Sequence, residues 1–300
     1  MRILITGSGG FIGSHVFKYL NTVNFVCGLQ RDNSHGMATV TLLKDLRVPL
    51  NESYIKFLKG TDVIIHLAAM SHVDRSIKDP YSAVMDNVVG TFNLLELARK
   101  VKPKLFLYFS TDEVFGPNIH KEKFKEWDRF NPGSPYSATK AAGEDLCLAY
   151  HNTYGVPVII THCMNVFGSG QHEEKFIPKA IKLIKRGKTV PIYADKKGKR
   201  SGSRSYIHVD DVCRAVDFII HKGKIGEKYN IPGTEEITNL KMAKFIAKTL
   251  DKELKVRMIA SDNVRPGNDF SYGIDGSKLL KMGWKPQENV WSRIKELINE

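Results

Sequence analysis

The chain has 300 residues, 42% of them hydrophobic, which is enough for a substantial core in one large domain with a smaller lobe. No apolar run approaches the roughly 20 residues that span a bilayer, and the chain starts directly with the apolar segment Ile3-Leu4-Ile5, so we expect a cytoplasmic protein without a membrane segment or signal peptide. The net charge of +13 is spread along the sequence, and its densest cluster, residues 196–200, is more typical of a solvated loop, or of a region that attracts a nucleotide diphosphate, than of a nucleic-acid site.

Short apolar runs predict β-strands, and amphipathic segments between them predict helices. The strands are predicted at 2–6, 25–29, 63–67, 105–110 and 158–162, and the helices at 12–20, 80–100 and 135–154. Near-continuous apolar strands that alternate with helices are typical of a parallel sheet with helices on both faces. With right-handed crossovers, the predicted fold class is a doubly wound parallel α/β sheet, or Rossmann fold.

A glycine-rich turn, residues 7–13, joins the first strand to the first helix. Gly7, Gly10 and Gly13 permit a tight turn, close approach of the backbone to a pyrophosphate, and close packing of the helix on the sheet. The amides of Phe11 and Ile12 lie at the helix N-terminus, where the helix dipole attracts the anion. Because a strand precedes this spacing and a helix follows it, the turn predicts a dinucleotide site.

The second predicted strand ends near the position that contacts the adenosine ribose. An acid there would bond the 2′-hydroxyl and favour NAD, whereas this strand ends with Leu29, Gln30 and Arg31. Arginine suits a 2′-phosphate, so we predict NADP, with NAD as the alternative if Arg31 is only a surface residue.

Two later segments are also predicted to line the cofactor. Asp45 and Leu46 could flank the adenine. The segment with Leu67, Ala68 and Ala69 ends the next clear strand, and its small residues would let the backbone approach the dinucleotide.

Tyr136 and Lys140 are four residues apart in a predicted helix, so both side chains project from one face. A nearby ammonium lowers the pKa of a phenol, which lets Tyr136 act as a base towards a substrate hydroxyl, and Lys140 can also bond the cofactor ribose. Thr111, at the end of the preceding strand, can hydrogen-bond the same hydroxyl. Downstream of a dinucleotide turn, this set predicts oxidation of an alcohol rather than a packed Tyr beside a surface Lys.

Two adjacent carboxylates, Asp112 and Glu113, follow Thr111. Two acids with different protonation states can donate and accept protons in one reaction. The alternative is a solvated strand end or a helix cap. Beside Tyr136 and Lys140, the acid pair favours a site that oxidises an alcohol and also moves other protons.

The segment after about residue 165 is less regular, with helices predicted at 175–186 and 239–250 and a strand at 255–259. We therefore assign residues 1–164 to a dinucleotide-binding domain and residues 165–300 mainly to a substrate-binding lobe, with the core-like segment 205–222 returning to the first domain. The four cysteines, Cys27, Cys147, Cys163 and Cys213, form no CxxC pair, so we expect reduced thiols and no metal site.

Over nearly its whole length the chain resembles the extended short-chain dehydrogenase/reductase family, and within it the nucleoside-diphosphate-glucose 4,6-dehydratases that act on dTDP- or UDP-glucose. The segments that support the resemblance are 71–76 (SHVDRS), 110–114 (STDEV), 135–140 (PYSATK), 174–178 (EKFIP) and 265–269 (RPGND). The Thr-Asp-Glu triplet is the most specific, because sugar epimerases and decarboxylases of the family usually lack the adjacent acid pair.

The resemblance implies a hydro-lyase that converts UDP- or dTDP-glucose into the 4-keto-6-deoxy sugar nucleotide, for deoxysugar synthesis such as that of rhamnose. Tyr136 would take the C4 hydroxyl proton as hydride leaves C4, Glu113 would take the C5 proton, and Asp112 would protonate the departing C6 hydroxyl. The nicotinamide cofactor would be tightly bound and recycled, since hydride returns to C6.

The resemblance also implies substrate contacts and an oligomer. His72, Asn165 and Lys175 would touch the sugar nucleotide together with Thr111, and a homodimer would form through the predicted helices 80–100 and 135–154. Two arginines would bind the diphosphate, where their planar forks match phosphate oxygens; these are Arg204 and Arg265.

The sequence departs from the dehydratase pattern at two places. Met70 stands where these enzymes usually carry Glu, and Gln30-Arg31 looks more like the corresponding segment of GDP-mannose dehydratases. Two alternatives therefore stand beside a dehydratase. One is a sugar-nucleotide 4-epimerase or reductase, which would need no acid pair. The other is a non-catalytic cofactor-sensing or interaction protein of the same fold.

Overall fold

The computed structural model describes residues 1–32, 40–117, 123–195, 197–260 and 273–300. Within these ranges the strands are β1 (Arg2–Thr6), β2 (Phe25–Gln30), β3 (Thr41–Leu43), β4 (Val63–His66), β5 (Leu105–Thr111), β6 (Val158–Cys163), β7 (Asn165–Phe167), β8 (Val190–Ala194), β9 (Ser203–His208), β10 (Lys228–Ile231), β11 (Glu235–Thr238) and β12 (Val256–Ala260). The α-helices are α1 (Phe11–Leu20), α2 (Glu52–Leu58), α3 (Val73–Lys78), α4 (Pro80–Val84), α5 (Gly90–Val101), α6 (Pro135–Tyr154), α7 (Phe176–Lys185), α8 (Val209–Lys222), α9 (Asn239–Thr249), α10 (Ser277–Lys281) and α11 (Val290–Asn299).

Seven strands form the central sheet in the order β10-β6-β5-β4-β1-β2-β3, and every neighbouring pair is parallel. The predicted doubly wound parallel fold is therefore confirmed. All carboxyl ends of the strands meet at one edge, and the strand order reverses between β1 and β4, which is where ligands bind in open α/β sheets. The short strands β3 and β10, at the two edges of the sheet, were not among the predicted strands.

Both faces of the sheet are apolar because successive strand residues point to opposite sides. Ile3 and Ile5 of β1 pack with α1 and α8 on one face, while Leu4 packs on the other with α5 and α6. The site edge is thus held between two layers of helices, as near-continuous apolar strands require.

Helix α6 has well-defined ends. Ser134 is its N-cap in a reciprocal capping arrangement with Ser137, Pro135 occupies the first turn, and Gly155 ends the helix at a φ of 69°. The predicted helix 135–154 is confirmed, with the same bounds.

The predicted helix 80–100 is not one continuous α-helix. It consists of α4 and α5 joined by a π-helical turn, Met85–Val89. In that turn the Asn87 amide bonds the backbone of Met70 on both its N–H and its carbonyl, and also the hydroxyl of Thr139 in α6. Single π-turns are often found at functional sites, and this one ties the loop after β4 to the helix that contains Tyr136.

The second half of the chain forms two smaller sheets, β11-β9-β7 and β12-β8, with α7, α9 and α11 around a separate apolar core. The segment predicted to return to the first domain contributes α8, which packs against α1, while β9 lies in the three-stranded sheet. The division at residue 164 stays a prediction, and the chain crosses back a second time to supply β10.

All four cysteines are free and buried. Across the described parts of the chain, no helix has the length and apolar character needed to cross a membrane. Nor do the described residues contain a group of three or more His, Cys, Asp or Glu side chains placed to hold a metal ion.

Candidate active site

Strand β5 and helix α6 deliver the residues of the predicted reaction to the carboxyl edge of the sheet. β5 ends at Thr111, and its backbone turns at once into a single 3-10 turn, Asp112–Phe115. The Thr111 hydroxyl caps that turn by accepting the amide N–H of Glu113 at 3.3 Å. The acid pair is therefore placed by a strand end and its cap.

The structure brings Thr111, Asp112, Glu113 and Tyr136 together. The Tyr136 phenol is buried and hydrogen-bonds the Thr111 side chain. Burial raises the pKa of Tyr136 well above its usual value, and the charges of Glu113 and Asp112 raise it further. The two carboxylates thus lie close enough to Tyr136 to act on the same bound molecule.

The expectation that Lys140 lowers the pKa of Tyr136 is wrong for this arrangement. The Lys140 ammonium lies over the ring of Tyr108, 4.1 Å from its centroid. Burial and the two carboxylates have the larger effect on the pKa of Tyr136, and they raise it. Burial also lowers the pKa of Lys140 to about 8, against the charge of Glu144, which raises it. Lys140 is therefore the group of this pair whose charge changes near neutral pH.

Asp112 is the acid with the more unusual environment. Burial, followed by the charge of Glu113, raises its pKa to about 7, while Arg204 acts in the opposite direction. Its Oδ1 accepts from the Thr111 hydroxyl at 3.2 Å, and its buried Oδ2 has no partner among the residues that the structure describes. A carboxyl that is half-protonated near pH 7, with one oxygen unpaired, suits a proton donor.

The glycine turn has the shape that a dinucleotide needs. Gly7 has a φ of 70°, and a methyl group there would lie 2.8 Å from the amide nitrogen of Ala68. At Gly13 a methyl group would lie 2.0 Å from the carbonyl oxygen of Gly7. The N-cap of α1, Gly10, has no capping side chain, so the first amides of the helix, at Phe11 and Ile12, are left to bind an anion.

Gln30 is a site residue that the sequence reasoning did not single out. It ends β2, is buried, and its Oε1 accepts from the hydroxyl of Ser8 at 3.3 Å. Its Nε2 has no partner among the described residues. An unpaired buried amide donor beside the glycine turn fits a ribose or its phosphate. In the sequence, the signal for this role of Gln30 was the missing acid at the end of the strand.

Arg31 lies at the same edge, with its side chain 57% exposed and 3.7 Å from Asp86. Asp45 is held by Arg47 through two carboxylate oxygens, and this contact lowers the pKa of Asp45. The buried Leu46 accepts from the Asn93 amide at 2.7 Å through its carbonyl oxygen. The predicted adenine-flanking role of Asp45 and Leu46 stays a prediction, as does the predicted approach of the backbone at Leu67, Ala68 and Ala69 to the cofactor.

The predicted substrate residues fall into two groups. His72 lies 3.1 Å from Glu174, and Lys175 donates to the Ser71 carbonyl at 3.1 Å, so these contacts join the segment before α3 to the segment before α7. Glu174 also pairs with Arg75 at 2.7 Å.

The second group lies nearer the acids. Arg204 on β9 acts electrostatically on Asp112, and Asn165 begins β7, two residues after Cys163, which pairs with Thr111 in the sheet. Arg265 lies outside the described residues, so its predicted role stays a prediction.

Comparison with known proteins identified a family, curated relatives and solved structures that are similar to this chain. Residues 3–232 match the family described as the NAD dependent epimerase/dehydratase family. A probable dTDP-glucose 4,6-dehydratase of Sinorhizobium fredii is 38% identical over 99% of this chain and 92% of its own length.

Solved structures of two reaction types share the fold equally well. DesIV, a dTDP-glucose 4,6-dehydratase of Streptomyces venezuelae with NAD bound, has a TM-score of 0.90 at 33% identity and covers 100% of this chain and 96% of its own. A UDP-glucose 4-epimerase of Thermus thermophilus in complex with NAD has the same TM-score, 0.90, at 26% identity, with 100% and 98% coverage. The fold therefore does not distinguish a dehydratase from an epimerase, and the distinction depends on the acid pair, Asp112 and Glu113.

The environment of Asp112 predicts a pH-dependent stability. Its folded pKa of about 7 lies above the ordinary 3.8, so the protonated carboxyl stabilises the fold below about pH 4, and this contribution is lost as the pH rises through 7. Asn cannot ionise. Asp112→Asn should therefore melt at a higher temperature than the wild type at pH 8, by an amount worth at most about 4 kcal/mol, and at a similar temperature at pH 4.

Thermal melts between pH 4 and pH 8 measure this difference. Asp145→Asn, which removes an exposed acid of α6, is the matched control and should leave the pH dependence as it is. Parallel curves for Asp112→Asn and the wild type would show that Asp112 ionises without penalty.

Proposed function

The chain belongs to the NAD dependent epimerase/dehydratase family, and we propose that it is a dTDP-glucose 4,6-dehydratase, a hydro-lyase that forms the 4-keto-6-deoxy sugar nucleotide and water. UDP-glucose is the alternative substrate. The observation that supports this proposal most is the buried carboxyl of Asp112, which lies beside Glu113 and Tyr136 and has one oxygen unpaired among the described residues. Exchange of hydride at C4 alone, as in a 4-epimerase, would give the acid pair no task.

The residues of the site divide the proton transfers among them. Tyr136 takes the proton of the C4 hydroxyl, and Thr111 holds that hydroxyl in place. Glu113 removes the C5 proton once C4 is a ketone, because the ketone acidifies C5. Asp112 protonates the C6 hydroxyl so that it leaves as water. When bound, the nicotinamide dinucleotide would supply the hydride chemistry, as acceptor for the hydride of C4 and donor to C6. Glu113 returns its proton to C5 as C6 is reduced, so that the product is the saturated 4-keto-6-deoxy sugar.

The protonation state of Asp112 suits its place in this order. Asp112 must begin as an acid, and a pKa of about 7 leaves much of it protonated at neutral pH. The neutral form of Asp112 also removes one of the negative charges that raise the pKa of Tyr136. Protonation of Asp112 therefore makes it easier for Tyr136 to ionise, so the proton donor of the second step assists the base of the first.

We propose NADP as the cofactor, with NAD as the alternative. Gln30 and Arg31 take the place of an acid at the end of β2, and both present N–H donors to the ribose edge. Donors favour a 2′-phosphate, whereas a 2′-hydroxyl is best met by a carboxylate. The glycine turn and the free amides at the start of α1 would hold the pyrophosphate, and Lys140 the other ribose.

We also propose that the enzyme is a homodimer. Large apolar side chains are exposed on α4 and α5, and Tyr154 is exposed on α6 beside them, with Tyr81 at 73% and Phe92 at 43%. An exposed apolar face of this kind on three neighbouring helices is typical of an interface. A cytoplasmic role in the synthesis of a deoxysugar such as rhamnose agrees with four free, buried cysteines and with the product.

The acid pair should be required for loss of water. Asp112→Asn and Glu113→Gln should each slow dehydration by roughly 10²- to 10⁴-fold, because each removes one general acid or base. Mass spectrometry of the products from dTDP-glucose, UDP-glucose and GDP-mannose, each offered separately, measures the loss of water and identifies the nucleotide.

Tyr136→Phe is the control, since it should stop oxidation at C4 as well as dehydration. In the acid variants oxidation at C4 should still occur, so the reduced cofactor should accumulate and be detected by its absorbance. Unchanged dehydration in the acid variants would rule out the proposed function, and an epimer of unchanged mass from the wild type would favour the 4-epimerase.

The proposed cofactor preference depends on Arg31. Arg31→Leu should weaken NADPH binding by roughly 10- to 100-fold, the equivalent of one charge-assisted hydrogen bond, and leave NADH binding nearly unchanged. Titration of the fluorescence of each reduced cofactor measures both affinities. Arg129→Leu removes the same charge from an exposed position elsewhere and should affect neither. Equal losses for NADPH and NADH would contradict a role at the 2′-phosphate.

The apolar face should be needed for the dimer. Tyr81→Glu combined with Phe92→Glu should shift the protein from dimer to monomer in sedimentation velocity, because two charges would be buried in the interface. Leu280→Glu, at an exposed apolar position of α10, is the matched control. A wild-type monomer at micromolar concentration would refute the homodimer.

A further inference from the structure

A buried carboxylate, Glu144, lies one helical turn after Lys140 on α6. Its Oε1 accepts from the hydroxyl of Ser110 at 2.5 Å. Its Oε2 lies 3.0 Å from Nε2 of His162 and 3.1 Å from the ammonium of Lys228. Glu144 and His162 are wholly buried, and Lys228 nearly so. We call Ser110, Glu144, His162 and Lys228 the Glu144 cluster.

The Glu144 cluster joins four elements. Ser110 is the β5 residue directly before Thr111, His162 lies on β6, and Lys228 begins β10. One carboxylate on α6 therefore bonds three strands at the point where β5 ends. Since Tyr136 and Lys140 precede Glu144 on the same helix, these bonds set the position of α6 relative to the strand that contains Thr111 and Asp112.

The cluster is built for an ionised carboxylate. Burial alone would raise the pKa of Glu144, but His162, Lys228 and the Ser110 hydroxyl together hold it below its usual value. The ammonium of Lys228 is itself surrounded by the rings of Phe130 and Trp127, at 4.4 and 4.8 Å. An isolated buried charge would be costly, so these partners account for the presence of both ions.

Few other charged or titratable groups face Glu144. Among the described residues these are Lys140 and the buried thiol of Cys147 on α6, and the buried phenol of Tyr108 on β5. Glu126 reaches the cluster through the backbone N–H of Asn230. Asn230 in turn bonds His162 at 2.8 Å. Glu144 is therefore the carboxylate that bears on the Lys140 ammonium, which is buried with no acid of its own within bonding distance among the described residues.

We propose that Glu144 is a positioning residue of the reaction, which locks α6 to the end of β5 and places a negative charge one helical turn from the Lys140 ammonium. The proposal rests on the proposed function for its assay. Its two parts follow from two observations: the bond to Ser110 holds the helix, and the negative charge opposes the loss of the proton that burial favours at Lys140.

The test removes the charge of Glu144 together with that of Lys228, the cation bonded to it. Glu144→Gln alone would strand the Lys228 ammonium and could unfold the protein, so we combine it with Lys228→Met, which keeps the length of that side chain. Asp211→Asn with Arg214→Met is the matched control, since it removes a wholly buried acid and its cation from α8, away from the site. Thermal melts establish that both double variants are folded.

In the folded Glu144→Gln/Lys228→Met variant we expect kcat to fall roughly 10- to 100-fold, while KM for the sugar nucleotide is unchanged, because the groups that contact it are intact. The alkaline limb of the kcat–pH profile should move to lower pH, because Lys140 has lost its carboxylate. The Asp211/Arg214 variant should keep the wild-type kcat and the wild-type position of the alkaline limb. A folded Glu144/Lys228 variant with wild-type kcat and pH profile would overturn the proposal.

A second measurement separates this inference from the proposed function. If the wild type dehydrates none of the sugar nucleotides, the proposed function fails, and NADPH fluorescence titrations from pH 6 to pH 10 still report on Lys140 through its contact with the ribose. A lower midpoint for the loss of NADPH affinity in the Glu144/Lys228 variant supports the inference. The same midpoint in variant and wild type refutes it.

Discussion

Helix α6 rests on the ring of Tyr108, and this contact determines where the reactive groups stand. Tyr108 is fully buried in β5, its ring lies under the Lys140 ammonium, and its hydroxyl donates to the Lys140 carbonyl at 3.3 Å. Helix and strand come this close because residue 143 is glycine: a methyl group there would lie 2.1 Å from the Tyr108 hydroxyl. Tyr136 is thereby brought to Thr111. The ring of Tyr108 and the missing side chain at Gly143 together place the Tyr136 phenol against the end of β5.

The same junction holds three buried ionisable groups whose pKa values are perturbed for different reasons. Burial and Glu113 raise the pKa of Asp112, burial lowers that of Lys140, and paired neighbours lower that of Glu144. The arrangement is consistent with a site in which a neutral acid and an ammonium must coexist near pH 7, which water-exposed groups would not do.

The features that could be predicted from the sequence depend on residues close together in the chain. The glycine turn, the Tyr136–Lys140 pair and the acid pair each lie within one strand–turn–helix unit, and α6 has both of its caps in the local sequence. What escaped prediction depends on distant contacts. The unpaired amide of Gln30 needs Ser8 to be recognised, and the π-turn needs Met70 and α6. The direction of the Tyr136 pKa shift follows from burial of the phenol and from the charges of Glu113 and Asp112 beside it. Periodicity reports on the face that a residue occupies, and it contains no information on which partner a side chain meets there.

The edge strand β10 lies late in the chain, and this position affects when the large sheet can be completed during biosynthesis. Residues 228–231 pair with β6 only after the chain has passed through much of the second lobe, so a growing polypeptide contains the glycine turn, the tyrosine and the acid pair long before Lys228 leaves the ribosome. Until then Glu144 is a carboxylate with no cation from β10, at a position that must become dry. The seven-stranded sheet can therefore be completed, and the charge of Glu144 balanced by Lys228, only after residue 228 has been synthesised.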